Sequence, residues 1–396
     1  MKTLIDDCGM AGNIQMIYID PPFFSKSNYD AVVRAGNANI KHLAYGDKWE
    51  KGLSEYLKML AVRLYLMKDL LADDGLIWVH LDWHVVHYAK VLMDEIFGEK
   101  HFVNEIIWTY KSGGTSKKHF ARKHDTILVY AKNTKYGFYP LQEKSYNRQL
   151  KPYRFKGVKE YKDEVGWYTM VNMKDVWSID MVGRTSGERT GYATQKPEQL
   201  LMRIIESCTR EGDICADFFC GSGTLPAAAA AMGRRFIACD SGSLAIESTI
   251  KRLARQEESF RIFDLKPEGR SKIDVVVEIE EEEIPSSDKR LLKLRLVSLK
   301  ERDLSRTVEK KSKDKVKQVL KDDSLQMIEG WSIDFHHRDG VHRPEVIFVR
   351  TKGELETCCE KMTAKRSSIC VKIVDIFGNA AFERIEYEGN PETESH

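Results

Sequence analysis

The chain has 396 residues, of which 42% are hydrophobic and 31% are charged, and its formal net charge is +2. This length accommodates about two or three domains with cores of their own, and the composition is ordinary for a globular protein. No apolar run approaches the roughly 20 residues of a membrane span, and the first residues lack a signal-peptide pattern. These features disfavour a membrane or secreted protein.

The cysteine content points in the same direction. The eight cysteines form no Cys-x-x-Cys pair, which disfavours a zinc site and a disulfide scaffold. We therefore predict a cytoplasmic protein with reduced thiols. Several of these thiols lie within apolar runs and are predicted to be buried: Cys208, Cys215, Cys220 and Cys239.

Positive charge is concentrated in one segment. Residues 108–198 contain 18 lysine and arginine residues against 9 acidic ones, so this segment carries +9 and the remainder −7. A basic segment in an otherwise acidic protein is typical of a polyanion partner. A lysine-rich solvated surface would have the same composition and is the alternative.

Predicted strands and helices alternate along most of the chain. Apolar runs predict strands at residues 17–19, 76–80, 105–110, 126–131, 214–219 and 235–240. Helical spacing predicts helices at residues 2–8, 54–72, 84–97, 198–210, 225–232 and 244–258. This alternation predicts an α/β fold with a doubly wound, mainly parallel sheet.

Three segments depart from the alternation. Residues 24–52 are polar and rich in glycine and asparagine, and predict a long loop. Residues 133–190 are rich in Tyr, Lys, Trp and Gly, and predict an insertion with a separate role. Residues 263–396 predict a separate β-rich (α+β) module with one or two helices, in which the acidic run Glu280–Glu283 is interpreted as a solvated linker.

A glycine-rich turn follows the predicted strand that ends at Asp217. Gly221 and Gly223 allow the backbone to approach a ligand, and the next helix offers free N–H groups at its start. Pro226 stands where a dinucleotide turn needs a third small residue, and no phosphate-loop motif occurs. Asp240, about 17 residues beyond Gly223, suits the two hydroxyls of a ribose. The pattern favours an adenosine cofactor without phosphates over a purely structural turn.

A second turn, Asp20-Pro21-Pro22-Phe23, follows the first predicted strand. The prolines restrict the backbone and keep Asp20 at the rim of the sheet. An exocyclic amine on an aromatic base is a poor nucleophile until both of its protons are accepted, here by the Asp20 carboxylate and the Pro21 carbonyl. Phe23 offers a face for a flipped base. A Pro-rich loop cap is the structural alternative.

These two turns resemble motifs of S-adenosylmethionine-dependent DNA amino-methyltransferases. Asp20–Phe23 is similar to their DPP(Y/F) motif, and Asp217–Thr224 is similar to their FxGxG cofactor loop. Residues 194–197 resemble their TQKP element, which lies against the methionine part of the cofactor. The order of the motifs resembles the permuted β group, and three further runs resemble methylation subunits of type III restriction-modification systems: Trp78–Asp82, Met93–Gly98 and Ile127–Asn133.

The resemblance covers residues 14–262 and implies a Rossmann-like methyltransferase sheet with an inserted target-recognition region. The implied division is a catalytic half, the insertion, a cofactor half and the C-terminal module, at residues 1–110, 111–190, 191–262 and 263–396. The implied catalytic residues are Asp20, Pro21, Pro22 and Phe23. S-Adenosylmethionine would be bound by Thr194, Gln195, Lys196, Asp217, Phe219, Gly221, Gly223 and Asp240.

The resemblance also implies the reaction, which is direct methyl transfer to N6 of a flipped adenine in double-stranded DNA. N4-cytosine members of the family usually have Ser at the position of Asp20, and C5-cytosine enzymes need a Pro-Cys pair that this chain lacks. Candidate partners besides DNA are a restriction (helicase-nuclease) subunit and a second copy of the chain. The basic insertion supplies the candidate DNA contacts Lys117, Lys118, Arg122, Lys123, Arg184 and Arg189, and Tyr192 just after it is a further candidate.

Other features support weaker hypotheses. His80, His84 and His87 surround a predicted strand-to-helix turn with Asp82, and we interpret them as surface and capping residues rather than metal ligands. Relatives usually carry a strand and a Gly-Asp element upstream of the DPP motif, where this chain has only nineteen residues before Asp20. This keeps open a catalytically weak specificity subunit that needs a partner. N4-cytosine methylation and methylation of a protein glutamine are the remaining alternatives.

Overall fold

The computed structural model describes residues 1–111, 116–183, 185–263, 273–301, 312–338, 342–351, 353–364 and 368–385. Within these ranges, no helix is long and apolar enough to cross a bilayer. Arg184, a predicted DNA contact, lies outside the described residues.

Three stretches of the chain supply the regular elements. The first contributes α1 (Lys2–Asp6), β1 (Ile14–Ile19), β2 (Asn28–Ala35), β3 (Ala38–Gly46), α2 (Leu53–Leu70), β4 (Leu71–Leu81), α3 (Val86–Phe97), β5 (Phe102–Thr109) and β6 (His124–Ala131). The second contributes β7 (Gln142–Tyr146), β8 (Glu160–Lys162), β9 (Trp167–Asn172), β10 (Val176–Ser178), α4 (Glu198–Cys208), β11 (Ile214–Asp217), α5 (Thr224–Ala231), β12 (Arg235–Ala238) and α6 (Ser243–Arg255). The third contributes β13 (Ile273–Glu283), β14 (Lys289–Glu301), α7 (Lys313–Asp322), β15 (Ile328–Asp334), β16 (Val346–Val349), β17 (Cys358–Ala364), β18 (Ile369–Asp375) and β19 (Ala380–Ile385).

A seven-stranded sheet with the order β10-β5-β6-β4-β1-β11-β12 forms the centre of the molecule. Strand β1 is parallel to β4 and β11, whereas β6 is antiparallel to β4 and β5. Alternate β1 residues face opposite sides: Ile17 and Ile19 pack in the cluster of α2 and α3, and Met16 and Tyr18 pack in that of α4 and α5. Helices therefore cover both faces, and the predicted doubly wound, mainly parallel α/β fold is confirmed.

The prediction of a long loop over residues 24–52 is wrong. Most of this segment is an antiparallel hairpin formed by β2 and β3. Its tip lies away from the central sheet, because Ala35 and Ile40 are fully buried in the hydrophobic cluster of the C-terminal module. The polar composition concealed the hairpin because the surface that buries its apolar residues lies more than 200 residues later in the chain.

The insertion is smaller than its predicted range, residues 111–190. Strand β6 is almost wholly buried and pairs with both β4 and β5, so it belongs to the central sheet. Strand β10 pairs with β5 and forms the edge of the same sheet. Between them, β7, β9 and β8 form a separate three-stranded antiparallel sheet.

The C-terminal module contains two antiparallel sheets, with the orders β13-β14-β17 and β16-β15-β18-β19, and the helix α7. This confirms the prediction of a β-rich module. The linker interpretation of Glu280–Glu283 is wrong, because these residues continue β13 opposite β14. Strand β14 is the central strand of its sheet, and Arg290 on it pairs with Glu281 at 2.9 Å. An acidic run can thus be part of a strand whose charges are paired across the sheet.

All eight cysteines are free thiols. Cys208, Cys215 and Cys220 are buried as predicted, and burial raises the pKa of each thiol. The prediction for Cys239 is wrong, because this residue is exposed just after β12, the edge strand of the sheet.

Candidate functional site

The two predicted turns meet at one edge of the sheet. Strands β1 and β11 are parallel neighbours with Tyr18 opposite Asp217, so the segments that follow them leave the sheet at the same edge. A cavity of about 400 Å³ lies there. Predicted site residues from both turns and from the 194–197 element line it: Asp20, Pro22, Thr194, Lys196, Asp217, Phe219, Gly221 and Asp240.

Asp20 forms a buried ion pair with Lys196. The Lys196 ammonium donates a hydrogen bond to Oδ2 of Asp20, and the side chains of Lys196 and Asp20 are 8% and 18% exposed. The other carboxylate oxygen, Oδ1, is buried, and no donor among the described residues reaches it. A buried acceptor without a donor is rare in folded proteins. Asp20 is therefore held in place through one oxygen and has the other available for a donor.

Phe23 lies beside this ion pair. Its ring stacks on the ring of His80, with centroids 5.9 Å apart, and the Lys196 ammonium lies 5.3 Å from its centroid. The next residue, Phe24, has a φ of +61°, which residues other than glycine seldom adopt. Asp47 fixes this turn, because its fully buried carboxylate accepts from the backbone N–H groups of Phe24 and Ser25 at 3.0 and 2.6 Å. Sequence reasoning missed Asp47, which lies in the segment interpreted as a loop.

His80 is part of a buried polar chain, so its interpretation as a surface residue is wrong. Its Nδ1 is 2.8 Å from the Tyr18 hydroxyl and its Nε2 is 3.2 Å from Asp125. The Tyr110 hydroxyl donates to the other oxygen of Asp125 at 3.0 Å. His80 is fully buried at the centre of this chain. The network supports the face of His80 on which Phe23 stacks, and the apolar residues around His80 in β4 were the signal that it would be buried.

Of the other two histidines, His87 is at the surface as predicted, whereas His84 is half-buried and does not cap α3. His87 is exposed on α3. In the turn before α3, the Asp82 carboxylate accepts from the backbone N–H of His84 at 2.9 Å and lies 2.6 Å from its ring Nδ1. Among the described residues, no group of three or more His, Cys, Asp or Glu side chains could hold a metal ion.

The opposite wall of the cavity is built around Asp240. One oxygen of this carboxylate accepts from the Gly221 N–H at 3.0 Å and the other from the Gly242 N–H at 2.8 Å. A carboxylate offers about four acceptor positions, so capacity for a further donor remains. Gly221 has a φ of +48°, and a Cβ atom there would lie 3.3 Å from the ring of Tyr192. A side chain at residue 221 would therefore enter the cavity.

Gly223 does not line the cavity. It has a φ of +72°, and a Cβ atom there would lie 2.6–2.9 Å from three atoms of Thr249. The position requires glycine because α5 and α6 pack closely at this point. Asp217 is likewise enclosed: it is 3% exposed, accepts from the Phe219 N–H at 2.9 Å, and burial raises its pKa.

The structure separates the members of the 194–197 element. The hydroxyl of Thr194 lies 3.1 Å from that of Tyr45 at the cavity. Gln195 points away from the cavity, because its side-chain oxygen accepts from the N–H and hydroxyl of Thr190 and its nitrogen donates to the Glu188 carbonyl. Gln195 thus organises the loop before α4, and it is Lys196 that reaches Asp20.

Two tyrosines complete the walls of the cavity, and both were assigned differently from the sequence. Tyr192, a predicted DNA contact, lies against Gly221 inside the cavity. Tyr45 comes from β3, in the segment predicted as a loop. Burial raises the pKa of both hydroxyls above the ordinary tyrosine value.

The predicted DNA contacts are mostly on the surface. Lys117, Lys118, Arg122 and Arg189 are exposed, and Lys123 is half-buried. The Arg122 guanidinium stacks 3.8 Å from the ring centroid of Trp83, which is 44% exposed. Trp83 in turn shares a shallow depression with Phe24 and Ser25. This places one basic residue of the patch next to the turn that contains Phe23.

Comparison with known proteins identifies sequence relatives for the sheet domain. A sequence profile of the family described as DNA methylase matches residues 14–251. The chain is 26% identical to the type II methyltransferase M.EcaI of Enterobacter cloacae, over 61% of this chain and 64% of that protein. It is 26% identical to the DNA adenine methyltransferase YhdJ of Escherichia coli, over 61% of this chain and 77% of that protein. A solved structure, PvuII DNA methyltransferase (cytosine-N4-specific), is similar with 14% identity and a TM-score of 0.42, over 61% of this chain and 80% of that one.

Proposed function

Because the chain belongs to the DNA methylase family, we propose that it transfers a methyl group from S-adenosylmethionine to N6 of an adenine flipped out of duplex DNA. It would serve as the modification component of a restriction-modification system or as a stand-alone methylase. The name of the Escherichia coli relative, a DNA adenine methyltransferase, favours adenine as the target.

One observation carries this proposal. Asp20 and Asp240 line the same cavity, and one carboxylate oxygen of Asp20 lacks a donor among the described residues. Lys196, which binds the other oxygen, has its ammonium 5.3 Å from the centroid of the Phe23 ring. This arrangement offers an acceptor and an aromatic face to a flat amine, next to space for a second molecule. A dinucleotide site would need neither the acceptor nor the ring at that place.

The residues of the Asp240 wall fit the cofactor. Asp240 retains acceptor capacity for a ribose hydroxyl, and Gly221 leaves open the space that a side chain would fill. Tyr45 and Tyr192 supply protonated hydroxyls and ring faces. When it is bound, S-adenosylmethionine supplies a methyl group on a positively charged sulfur. The wall would hold that group at a fixed distance from Asp20.

Asp20 and Phe23 would act on the target base. The adenine stacks on Phe23 and donates one amine hydrogen to Asp20, while the Pro21 carbonyl accepts the other. Accepting both hydrogens localises the nitrogen lone pair and directs it at the methyl group. Lys196 keeps Asp20 oriented through its second oxygen. Asp20 is also the acceptor within reach of the proton that the amine loses. Much of the rate enhancement would come from holding the two reactants in line.

The proposed DNA contacts, partner and location are based on the sequence and on the exposure of the basic side chains. Exposed Lys117, Lys118 and Arg122 would contact the phosphates of the duplex. A restriction subunit is a proposed partner on the basis of the resemblance to type III methylation subunits. The free thiols support the proposed cytoplasmic location.

The proposed function is tested by methyl transfer from tritiated S-adenosylmethionine to unmethylated duplex DNA. The purified protein should bind the cofactor in isothermal titration and should label the DNA. Asp20→Ala should abolish labelling, whereas Asp30→Ala, a matched change on exposed β2, should leave it intact. Cofactor binding without labelling on DNA of diverse sequence would favour the specificity-subunit alternative. Absence of cofactor binding would refute the proposal.

A further inference from the structure

The hairpin of β2 and β3 connects the cofactor cavity to the C-terminal module. At its root, Ala44, Tyr45 and Gly46 line the cavity. At its tip, Ala35 and Ile40 are fully buried among residues of the C-terminal module. One short element therefore contributes to the site at one end and is anchored outside the sheet domain at the other.

The contacts at the root fix the cavity wall. The Tyr45 hydroxyl lies 3.1 Å from that of Thr194, which also lines the cavity. Asp47, directly after the hairpin, holds the turn that contains Phe24. The Ala44 carbonyl approaches Gly242, where a Cβ atom would lie 3.8 Å from it. The root of the hairpin thus touches three of the segments that form the site.

The contacts at the tip are apolar. Ile40 and Ala35 belong to one buried cluster with Leu292, Ile328 and Phe377, residues of the C-terminal module. The cluster also includes the partly buried Val33 and Ala38 of the hairpin. In contrast, Val32 on the same hairpin is 53% exposed. A two-stranded hairpin is marginal on its own, so this burial is what keeps the strands in place.

A second contact fixes the other side of the same wall. Helix α6 begins directly after Asp240-Ser241-Gly242, and the turn at Gly378 packs against its first residue so closely that a Cβ atom would lie 2.4 Å from Ser243. Further along α6, Lys251 forms an ion pair with Glu329 of β15. The C-terminal module therefore holds both the hairpin and the start of α6, the two segments that flank Asp240.

We propose that the C-terminal module is a structural part of the cofactor site, with Ile40 as the positioning residue that fixes the hairpin wall. The inference rests on the proposed function, because it takes S-adenosylmethionine as the ligand of the cavity. It assigns to residues 273–385 a role in cofactor affinity. Undocking of the hairpin would remove Tyr45 from the wall and would loosen the support of Phe24.

Ile40→Ser in the full chain tests this inference. If the substitution leaves about one molecule in ten with a docked hairpin, the apparent Kd for S-adenosylmethionine rises about tenfold. At saturating cofactor, kcat should stay near the wild-type value, since the cofactor itself selects the docked state. Val32→Ser is the matched control on the exposed face and should change neither value. The conservative Ile40→Val should restore most of the affinity.

Two measurements separate the outcomes. Hydrogen exchange should show that amides 38–46 lose protection in Ile40→Ser while the protection of β1 and β11 persists, which distinguishes undocking from global unfolding. A folded Ile40→Ser protein with exposed hairpin amides and unchanged cofactor affinity would overturn the inference. Failure of the wild-type protein to bind S-adenosylmethionine would instead refute the proposed function. A protein that unfolds globally is replaced in the test by Ile40→Ala.

Discussion

Asp20→Asn should affect the stability of the protein as well as its activity. The substitution keeps the shape of the side chain but removes the charge that pairs with Lys196. Because the Lys196 side chain is only 8% exposed, its ammonium would remain buried without an anionic partner. Each activity assay of an Asp20 variant is therefore accompanied by a measurement of its stability.

The size of the effect follows from the burial of the pair. Removing one partner of a buried ion pair costs about 3–5 kcal/mol. Asp20 keeps 18% exposure, so partial screening favours the lower end, about 3 kcal/mol. For a domain of this size such a loss corresponds to a decrease in Tm of about 6–12 °C. Replacing both residues, Asp20→Asn with Lys196→Met, removes the unpaired charge and should recover most of the loss.

A double-mutant cycle measures the coupling. The wild-type protein, both single variants and the double variant are compared by chemical unfolding, and methyl transfer is assayed in parallel. We expect a coupling free energy of about 2–3 kcal/mol. The double variant should regain stability, yet methyl transfer should remain at least about 100-fold reduced, since the acceptor charge is absent. Equal stability of wild-type and Asp20→Asn proteins would contradict this prediction and would show that the ion pair is not a buried structural contact.

Three further predictions concern other parts of the molecule. Gly223→Ala should lower the free energy of unfolding by about 2–4 kcal/mol, because the new Cβ atom is strained and overlaps Thr249, while Gly221→Ala should mainly weaken cofactor binding. Cofactor titration and thermal unfolding of each variant test this difference. Weaker cofactor binding by Gly223→Ala and a lower stability of Gly221→Ala would contradict it. Burial raises the pKa of Glu247 from 4.5 to about 7, because the folded protein favours the neutral carboxyl over the buried carboxylate. The contribution of Glu247 to the free energy of unfolding is therefore fully present below pH 4.5 and is lost as the pH rises through about 7. Glu247→Gln should therefore be no more stable than the wild type at pH 4.5 but more stable by up to about 3 kcal/mol at pH 8, and a gain that is independent of pH would count against this sign. Replacing Lys117, Lys118 and Arg122 by glutamine should reduce the slope of log DNA affinity against log salt concentration by about one released counterion for each phosphate that is no longer neutralised. An unchanged slope would exclude this patch as the DNA surface.

The sequence was sufficient to predict the sheet domain because its signals are local. Strands such as β1 are continuous apolar runs that end at special turns, and both turns lie where parallel neighbours bring them together. Asp20 and Asp240 could be placed at one cavity for this reason, since each lies within two residues of the end of a strand of the central sheet.

The features that were missed depend on contacts distant in sequence. The hairpin of β2 and β3 appears polar because Ile40 finds its apolar surroundings in the C-terminal module. The apolar run of β4 indicates a buried His80, but the partners of its two ring nitrogens, Tyr18 and Asp125, come from two other strands. The ion pair of Lys196 with Asp20 joins residues 176 positions apart. No local pattern encodes such pairings.

Identification of the methylated base is a direct test of adenine N6 as the target atom. Unmethylated duplex DNA is incubated with the protein and S-adenosylmethionine, digested to nucleosides, and analysed by mass spectrometry against standards of both methylated amines. We expect N6-methyladenine, which should be absent from a parallel reaction with Asp20→Ala. N4-methylcytosine as the product would contradict the assignment of Asp20 to an adenine amine.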